Sequence, residues 1–300
     1  MGYEKDLLIL PFDHRGSMLK KLYGIEGRAP TDEETANYKD LKKMNYEGFL
    51  KSLEMGVQKE TSAVLVDEQF GSEILKEAKE NGIMTATPME KSGQKEFDFE
   101  NQDFQEHIKR TDTTFVKVLV RFNIADNHER NQRQLERLKK IGDYCKGIGK
   151  KFLFELLVPA TEGQLKAFEG DTKKYDAVLR PKLMIESIKQ IQNFGIEPDV
   201  WKLEGVSNPD DCKELVNQCH ANGRTSGIIT LGRGEDSEKV KEWLKIGAKQ
   251  KGIIGFAVGR TVFWEPMRDL HDGKIPREEA IQKVAENYKS LVDLWNSERE

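Results

Sequence analysis

The stretch Pro198-Asp199-Val200-Trp201-Lys202-Leu203-Glu204-Gly205 reads as a short strand, apolar and partly β-branched, with Pro before it and Gly after it. Side chains alternate along a strand, so Trp201 and Leu203 share one face while Val200, Lys202 and Glu204 share the other. A lysine in mid-strand is costly to bury as a cation. Burial favours the neutral amine, the form that attacks a carbonyl. An edge strand with Lys202 in water would need no such chemistry, and the rest of the chain decides between the two.

Outward from this strand the same unit recurs. Apolar runs over 7–13, 62–66, 83–87, 115–120, 152–157, 226–231 and 252–258 predict seven more strands. Helical patterns follow them. Thr31 and Glu34 form a capping-box signature that opens a helix to about residue 53. Further helices are expected over 71–80, 128–146, 175–194, from Asn208-Pro209 to the stop at Asn222-Gly223, over 237–246 and over 277–295. Pro181 inside 175–194 marks a kink or a fresh start. Eight strand-then-helix units predict an α/β fold with a parallel sheet closed as a (β/α)8 TIM barrel, with residues 1–300 as one catalytic domain.

Composition narrows the functional classes. Lys and Arg total 48 against 52 Asp and Glu, a net charge of −4, with no basic stripe for nucleic acid and no polybasic cluster for a membrane surface. The start, Met1-Gly2-Tyr3-Glu4-Lys5-Asp6, lacks the layout of a signal peptide, and no apolar run reaches membrane-spanning length. Cys145, Cys212 and Cys219 fall in expected helices without zinc-ligand spacing, which suits free thiols in a reducing cytoplasm. The five histidines are scattered, so a histidine metal site is not expected.

In barrels of this kind the site lies at the C-terminal strand ends. Here those ends carry Asp13, His14 and Arg15; Asp67 and Glu68; Glu90 and Lys91; Lys117 and Arg121; Glu155; Lys202 and Glu204; Arg233; and Arg260. Lys117, Glu155 and Lys202 stand apart because each lies within an apolar strand, and their strands are neighbours. Facing inward together they would form a Lys-Glu-Lys cluster. As a purely stabilising network it would gain little over apolar packing. As chemistry, a second cation beside Lys202 and a carboxylate between the two lysines suit imine formation followed by carbon–carbon cleavage. Gly232-Arg233-Gly234 and Gly259-Arg260-Thr261 end the last two strands, where barrels often hold phosphate. Sulfonate would fit the same loops.

Several stretches together resemble a family. They are Leu10-Pro11-Phe12-Asp13-His14-Arg15-Gly16, Val66-Asp67-Glu68-Gln69-Phe70-Gly71, Glu90-Lys91-Ser92-Gly93, Val116-Lys117-Val118-Leu119, Asp199-Val200-Trp201-Lys202-Leu203-Glu204 and Gly255-Phe256-Ala257-Val258-Gly259-Arg260-Thr261-Val262-Phe263-Trp264. The chain resembles the class I, Schiff-base aldolases of the tagatose-bisphosphate aldolase type. It looks closer still to the aldolase-like domain fused to 5-dehydro-2-deoxygluconokinases, and sulfosugar aldolases and transaldolases look like relatives. The resemblance implies Lys202 as imine lysine, Lys117 and Glu155 as its polar partners, Asp13 at the substrate and phosphate on the last two loops. It also implies no cofactor and no metal. Two positions depart from the tagatose type. Leu156-Leu157-Val158-Pro159 follows Glu155 where that type has Pro directly, and His14 stands where it has Gln.

The expected activity is therefore a cytoplasmic class I aldolase acting on a phosphorylated ketose or keto-sugar acid. Its partner is a small phosphorylated or sulfonated sugar, with neither nucleic acid nor membrane, and a homo-oligomer is left open. A transaldolase differs only in passing the enamine to another aldehyde. A metal-dependent lyase built on Asp67, Glu68 and His14, and a non-catalytic sugar-phosphate-binding barrel, are the readings from other classes.

Overall fold

The structure, a computed structural model, describes residues 2–299. Within them eight parallel strands close in sequential order: β1 Leu7–Pro11, β2 Ser62–Leu65, β3 Met84–Pro88, β4 Phe115–Arg121, β5 Lys151–Leu157, β6 Val200–Glu204, β7 Gly227–Leu231 and β8 Ile253–Ala257. Every neighbour pair is parallel, and β1 pairs with β8 to shut the ring. This is the (β/α)8 barrel that the alternation of units predicts.

The helices are α1 Gly16–Tyr23, α2 Asp32–Glu54, α3 Glu68–Glu80, α4 Phe104–Thr111, α5 His128–Ile148, α6 Glu162–Ala167, α7 Thr172–Val178, α8 Arg180–Asn193, α9 Pro209–Cys219, α10 Ser237–Lys249, α11 Arg260–His271 and α12 Arg277–Arg299. The capping box at α2 is formed, with Thr31 accepting from the Glu34 N–H and Glu34 accepting from the Thr31 N–H. Pro181 marks a fresh start: the expected 175–194 helix is two helices, with the proline in the first turn of α8 where its missing N–H costs nothing. Helix α3 begins three residues earlier than its apolar pattern suggests, because the Asp67 carboxylate accepts from the Phe70 N–H and caps it.

Strand alternation splits the core in two. Leu7, Ile9, Ala63, Leu65, Phe115, Leu153, Val200 and Ile229 fill the barrel interior. Trp201, Leu203, Phe154 and their counterparts point outward against the helices. Lys117, Glu155 and Lys202 each lie two residues beyond an interior residue, Phe115, Leu153 and Val200 respectively. The period of two therefore turns them inward as well, one layer above the apolar plug. Register reinforces this, since Glu155 pairs directly with Lys202 across β5 and β6.

Candidate active site

At the C-terminal end of the barrel lies an open cavity of about 440 Å³. Its floor is a chain of charges. Glu155 reaches both lysines: one carboxylate oxygen is 3.0 Å from Lys202 Nζ and the other 3.0 Å from Lys117 Nζ. Lys117 Nζ also donates to Glu90 at 2.6 Å and Asp13 at 3.0 Å. Three carboxylates thus converge on one ammonium that is only 1 % exposed. Lys202, by contrast, touches one carboxylate and faces the open cavity.

The electrostatics follow from burial set against these neighbours. Burial disfavours the Lys117 cation, yet Asp13, Glu155 and Glu90 outweigh it and raise its pKa well above the ordinary lysine value. Burial pushes the Asp13 carboxyl up, but Lys117, Lys202 and His14 hold it well below the usual carboxylate range. Glu155 follows the same logic: burial works to neutralise it, Lys117 and then Lys202 overcome that, and it rests as a carboxylate. His14 is brought down to about 4, by burial first and by the cations of Arg260, Lys42 and Lys202, against the pull of Asp13. Its imidazole is therefore neutral at pH 7.

The rim comes from the loops after β1, β3, β4, β7 and β8. His14, Arg15, Glu90, Lys91, Arg121, Gly232, Arg233, Gly234, Gly259 and Arg260 all line the cavity with Asp13, Lys117, Glu155 and Lys202. Several rim cations are already engaged. Arg15 donates to the Glu90 carbonyl at 2.6 Å and pairs with Glu100 at 2.9 Å. Lys91 pairs with Asp98 at 2.6 Å. Arg233 is bridged between Asp176 at 2.5 Å and Glu204 at 3.1 Å. Arg260 and Arg121 differ: their hydrogen bonds go to the backbone carbonyls of Arg233 and Gln94, and neither pairs with a carboxylate among the described residues. Gly234 has φ +80°, and a Cβ there would occupy the space of the Arg260 guanidinium, so both its conformation and its bareness are required.

Two residues expected at the substrate lie elsewhere. Asp67 is buried outside the cavity, ion-paired to Lys42 and capping α3. Glu204 follows the inward parity of β6, but its carboxylate is taken by the Val158 N–H at 2.9 Å and by Arg233. The trio Asp67, Glu68 and His14 does not assemble. Glu68 turns outward to Arg110 at 2.7 Å and His107 at 3.2 Å, and no cluster of three metal-ligating side chains occurs among the described residues. The direct bond of Glu90 to Lys117 and the pairing of Asp176 with Arg233 lie outside what the sequence pattern predicts. Glu90 belongs to the stretch Glu90-Lys91-Ser92-Gly93 just past the end of β3, so its place at the rim is legible in the sequence. Asp176 lies on α7, inside a stretch whose pattern reads as ordinary surface helix. The three cysteines are free and buried, and no helix among the described residues is long and apolar enough to cross a membrane.

Fold and cavity define a (β/α)8 barrel with a lysine–carboxylate centre at the C-terminal strand ends. The chain belongs to the family described as "Uncharacterized protein conserved in bacteria (DUF2090)", which matches residues 2–299. Tagatose 1,6-diphosphate aldolase of Lactococcus lactis subsp. lactis is 22% identical over 268 residues, 88% of this chain and 74% of that protein. The tryptophan synthase alpha chain of Chlorobaculum parvum is 25% identical over 191 residues, 55% of this chain and 70% of that one. The solved structure of fructose-bisphosphate aldolase from Plasmodium falciparum, in complex with TRAP and a small-molecule inhibitor, superposes with TM-score 0.64 at 14% identity. That superposition covers 97% of this chain and 91% of the other, and it speaks to the fold.

Proposed function

We propose that this protein is a class I aldolase that cleaves a phosphorylated ketose or keto-sugar acid through an imine on Lys202. The observation that carries the reading is the floor geometry: an inward lysine opening on the cavity, 3.0 Å from a carboxylate that a second lysine keeps ionised. Likeness to the Lactococcus lactis aldolase, over 88% of the chain, supports it. In the expected sequence the Lys202 amine, its proton passed to Glu155, adds to the ketone carbon. Glu155 returns that proton to the departing hydroxyl, so loss of water gives an iminium and leaves Glu155 a free carboxylate again. Glu155 then takes the proton from the hydroxyl β to that carbon, and the carbon–carbon bond electrons flow to the iminium. An aldehyde departs and an enamine remains. Protonation of the enamine carbon and hydrolysis of the new iminium release the second product and restore Lys202. Lys117, fixed as a cation by three carboxylates, holds Glu155 and Asp13 in place throughout.

The rim supports an anionic substrate. Arg260 opens α11 beside Gly232 and Gly234, so a guanidinium, loop N–H groups and a helix N-terminus favour a tetrahedral dianion there. Arg121 ends β4, across the ring from β8, with β6 and Lys202 midway between. A ketone held between two anionic ends would match this layout. Borohydride added with dihydroxyacetone phosphate should place a permanent adduct on the peptide containing Lys202. Adduct on Lys117, or no adduct with a substrate that is turned over, overturns the assignment.

Two further outcomes are expected. Arg260→Ala should raise the half-saturating concentration of dihydroxyacetone phosphate on the order of tenfold to a hundredfold, and affect dihydroxyacetone far less. Equal losses on both would make Arg260 a support for the Gly234 loop. Exhaustive chelation should leave turnover intact, because the iminium is the electron sink of this route and Asp67 and Glu68, two of the three residues of the metal-dependent reading, are turned away to Lys42, Arg110 and His107. Loss with EDTA, restored by zinc or manganese, would contradict an iminium electron sink.

A further inference from the structure

We infer that helix α2 is a positioning element for the site: Tyr38 and Lys42 hold the two peptide carbonyls on either side of Asp13. The two residues are four apart and so share a helix face. The Tyr38 hydroxyl donates to the His14 carbonyl at 2.7 Å, and Lys42 Nζ donates to the Phe12 carbonyl at 2.7 Å. Both side chains are 1 % exposed or less and neither lines the cavity. They act from behind.

Lys42 makes a second bond, to Asp67, two residues past the end of β2 and the cap of α3. One ammonium therefore ties together the ends of adjacent strands and the start of a helix. A buried ion pair gives little stability over apolar packing, so stability alone is a weak reason for it. Holding the Phe12 carbonyl is a task that apolar packing could not perform. With the Phe12 and His14 carbonyls both held, the backbone that carries Asp13 is fixed where its carboxylate reaches Lys117 at 3.0 Å. The partner carboxylate Glu90 has its backbone held in the same way, its carbonyl accepting from Arg15.

This inference uses the aldolase reading only in placing Asp13 at a substrate, and one arm of its test needs no substrate. Two variants separate positioning from folding. Tyr38→Phe removes a single hydroxyl. Lys42→Met with Asp67→Asn removes both charges of the pair, so no buried charge is orphaned, and Asn can still cap α3. Crystal structures of both should show the Asp13 carboxylate withdrawn from direct contact with Lys117. In borohydride trapping with saturating dihydroxyacetone phosphate, the rate of Lys202 modification should fall on the order of tenfold to a hundredfold in the double variant. The half-saturating concentration, set by the anion loops, should stay within about twofold of wild type. Asp13 still at Lys117 in both variants, with the saturating rate retained, overturns the inference whatever happens to the melting temperature. If wild type itself is never trapped, the aldolase reading fails, and the position of Asp13 in the two structures still decides this one.

Discussion

Lys202→Met is expected to abolish carbon–carbon cleavage completely while leaving the barrel folded. The substitution keeps an unbranched apolar stem of similar length at a position 4 % exposed, so interior packing is conserved. It removes the only group proposed to bond covalently to substrate. No neighbouring amine can substitute, since Lys117 is held as a cation by Asp13, Glu90 and Glu155, and an ammonium has no lone pair to attack with. The measurement is turnover of a phosphorylated ketose alongside circular dichroism. Residual cleavage above about one part in a thousand of wild type would mean that the imine is not the main route, because covalent catalysis lost with its nucleophile is not rescued by binding alone.

Glu155→Gln should slow turnover by roughly 10²–10⁴-fold, the usual contribution of a positioned acid–base group. The amide preserves shape and can still accept from one lysine, but it cannot take a proton. Imine trapping on Lys202 should partly survive, because water can carry the proton in that step. The pH profile gives a second test, with a definite sign. Glu155 is held below the ordinary carboxylate value by Lys117 first and Lys202 second, against burial, so the basic form persists to low pH. The acid limb of the wild-type profile should therefore fall below the ordinary glutamate range. In Lys117→Met burial is opposed by Lys202 alone, and any remaining activity should show that limb moved to higher pH. A limb unmoved by Lys117→Met, or an unchanged rate in Glu155→Gln, removes Glu155 from proton transfer.

The barrel and its floor were legible in the sequence for one physical reason. A period of two along each strand and short loops between units leave few ways to arrange eight strands, and parity then turns Lys117, Glu155 and Lys202 inward together. Adjacency of β4, β5 and β6 follows from the same order. What was hidden depends on side-chain choices that parity does not control. Glu204 has the inward parity of Lys202, yet at the last residue of the strand its carboxylate swings to the Val158 N–H and Arg233. Asp67 follows an apolar strand as Asp13 does, but a lysine waiting on α2 draws it out of the cavity. Partners such as Asp176 and Lys42 are tens of residues away in sequence, and nothing local distinguishes them from surface charges. The run 175–194 shows the same limit on a smaller scale, since proline tolerates both a kink and a first turn and only packing chooses.

The closing seam joins the first strand of the chain to the last. Residues 7–9 wait for residues 255–257 before the ring can shut. That is a separation of nearly the full chain, and such pairings are slow to form. Until then both terminal strands present open edges, the kind of surface on which nascent chains associate. The seam leaves no slack, as a Cβ on Gly255 would run into the Leu7 backbone, and the Tyr288 hydroxyl of α12 bonds the Leu8 carbonyl at 2.8 Å to clasp it from outside. Asp13 lies just past one lip of the seam and Arg260 just past the other. The two halves of the cavity therefore meet only across the closed seam, and a nascent chain that has not yet delivered β8 and α11 lacks one of them.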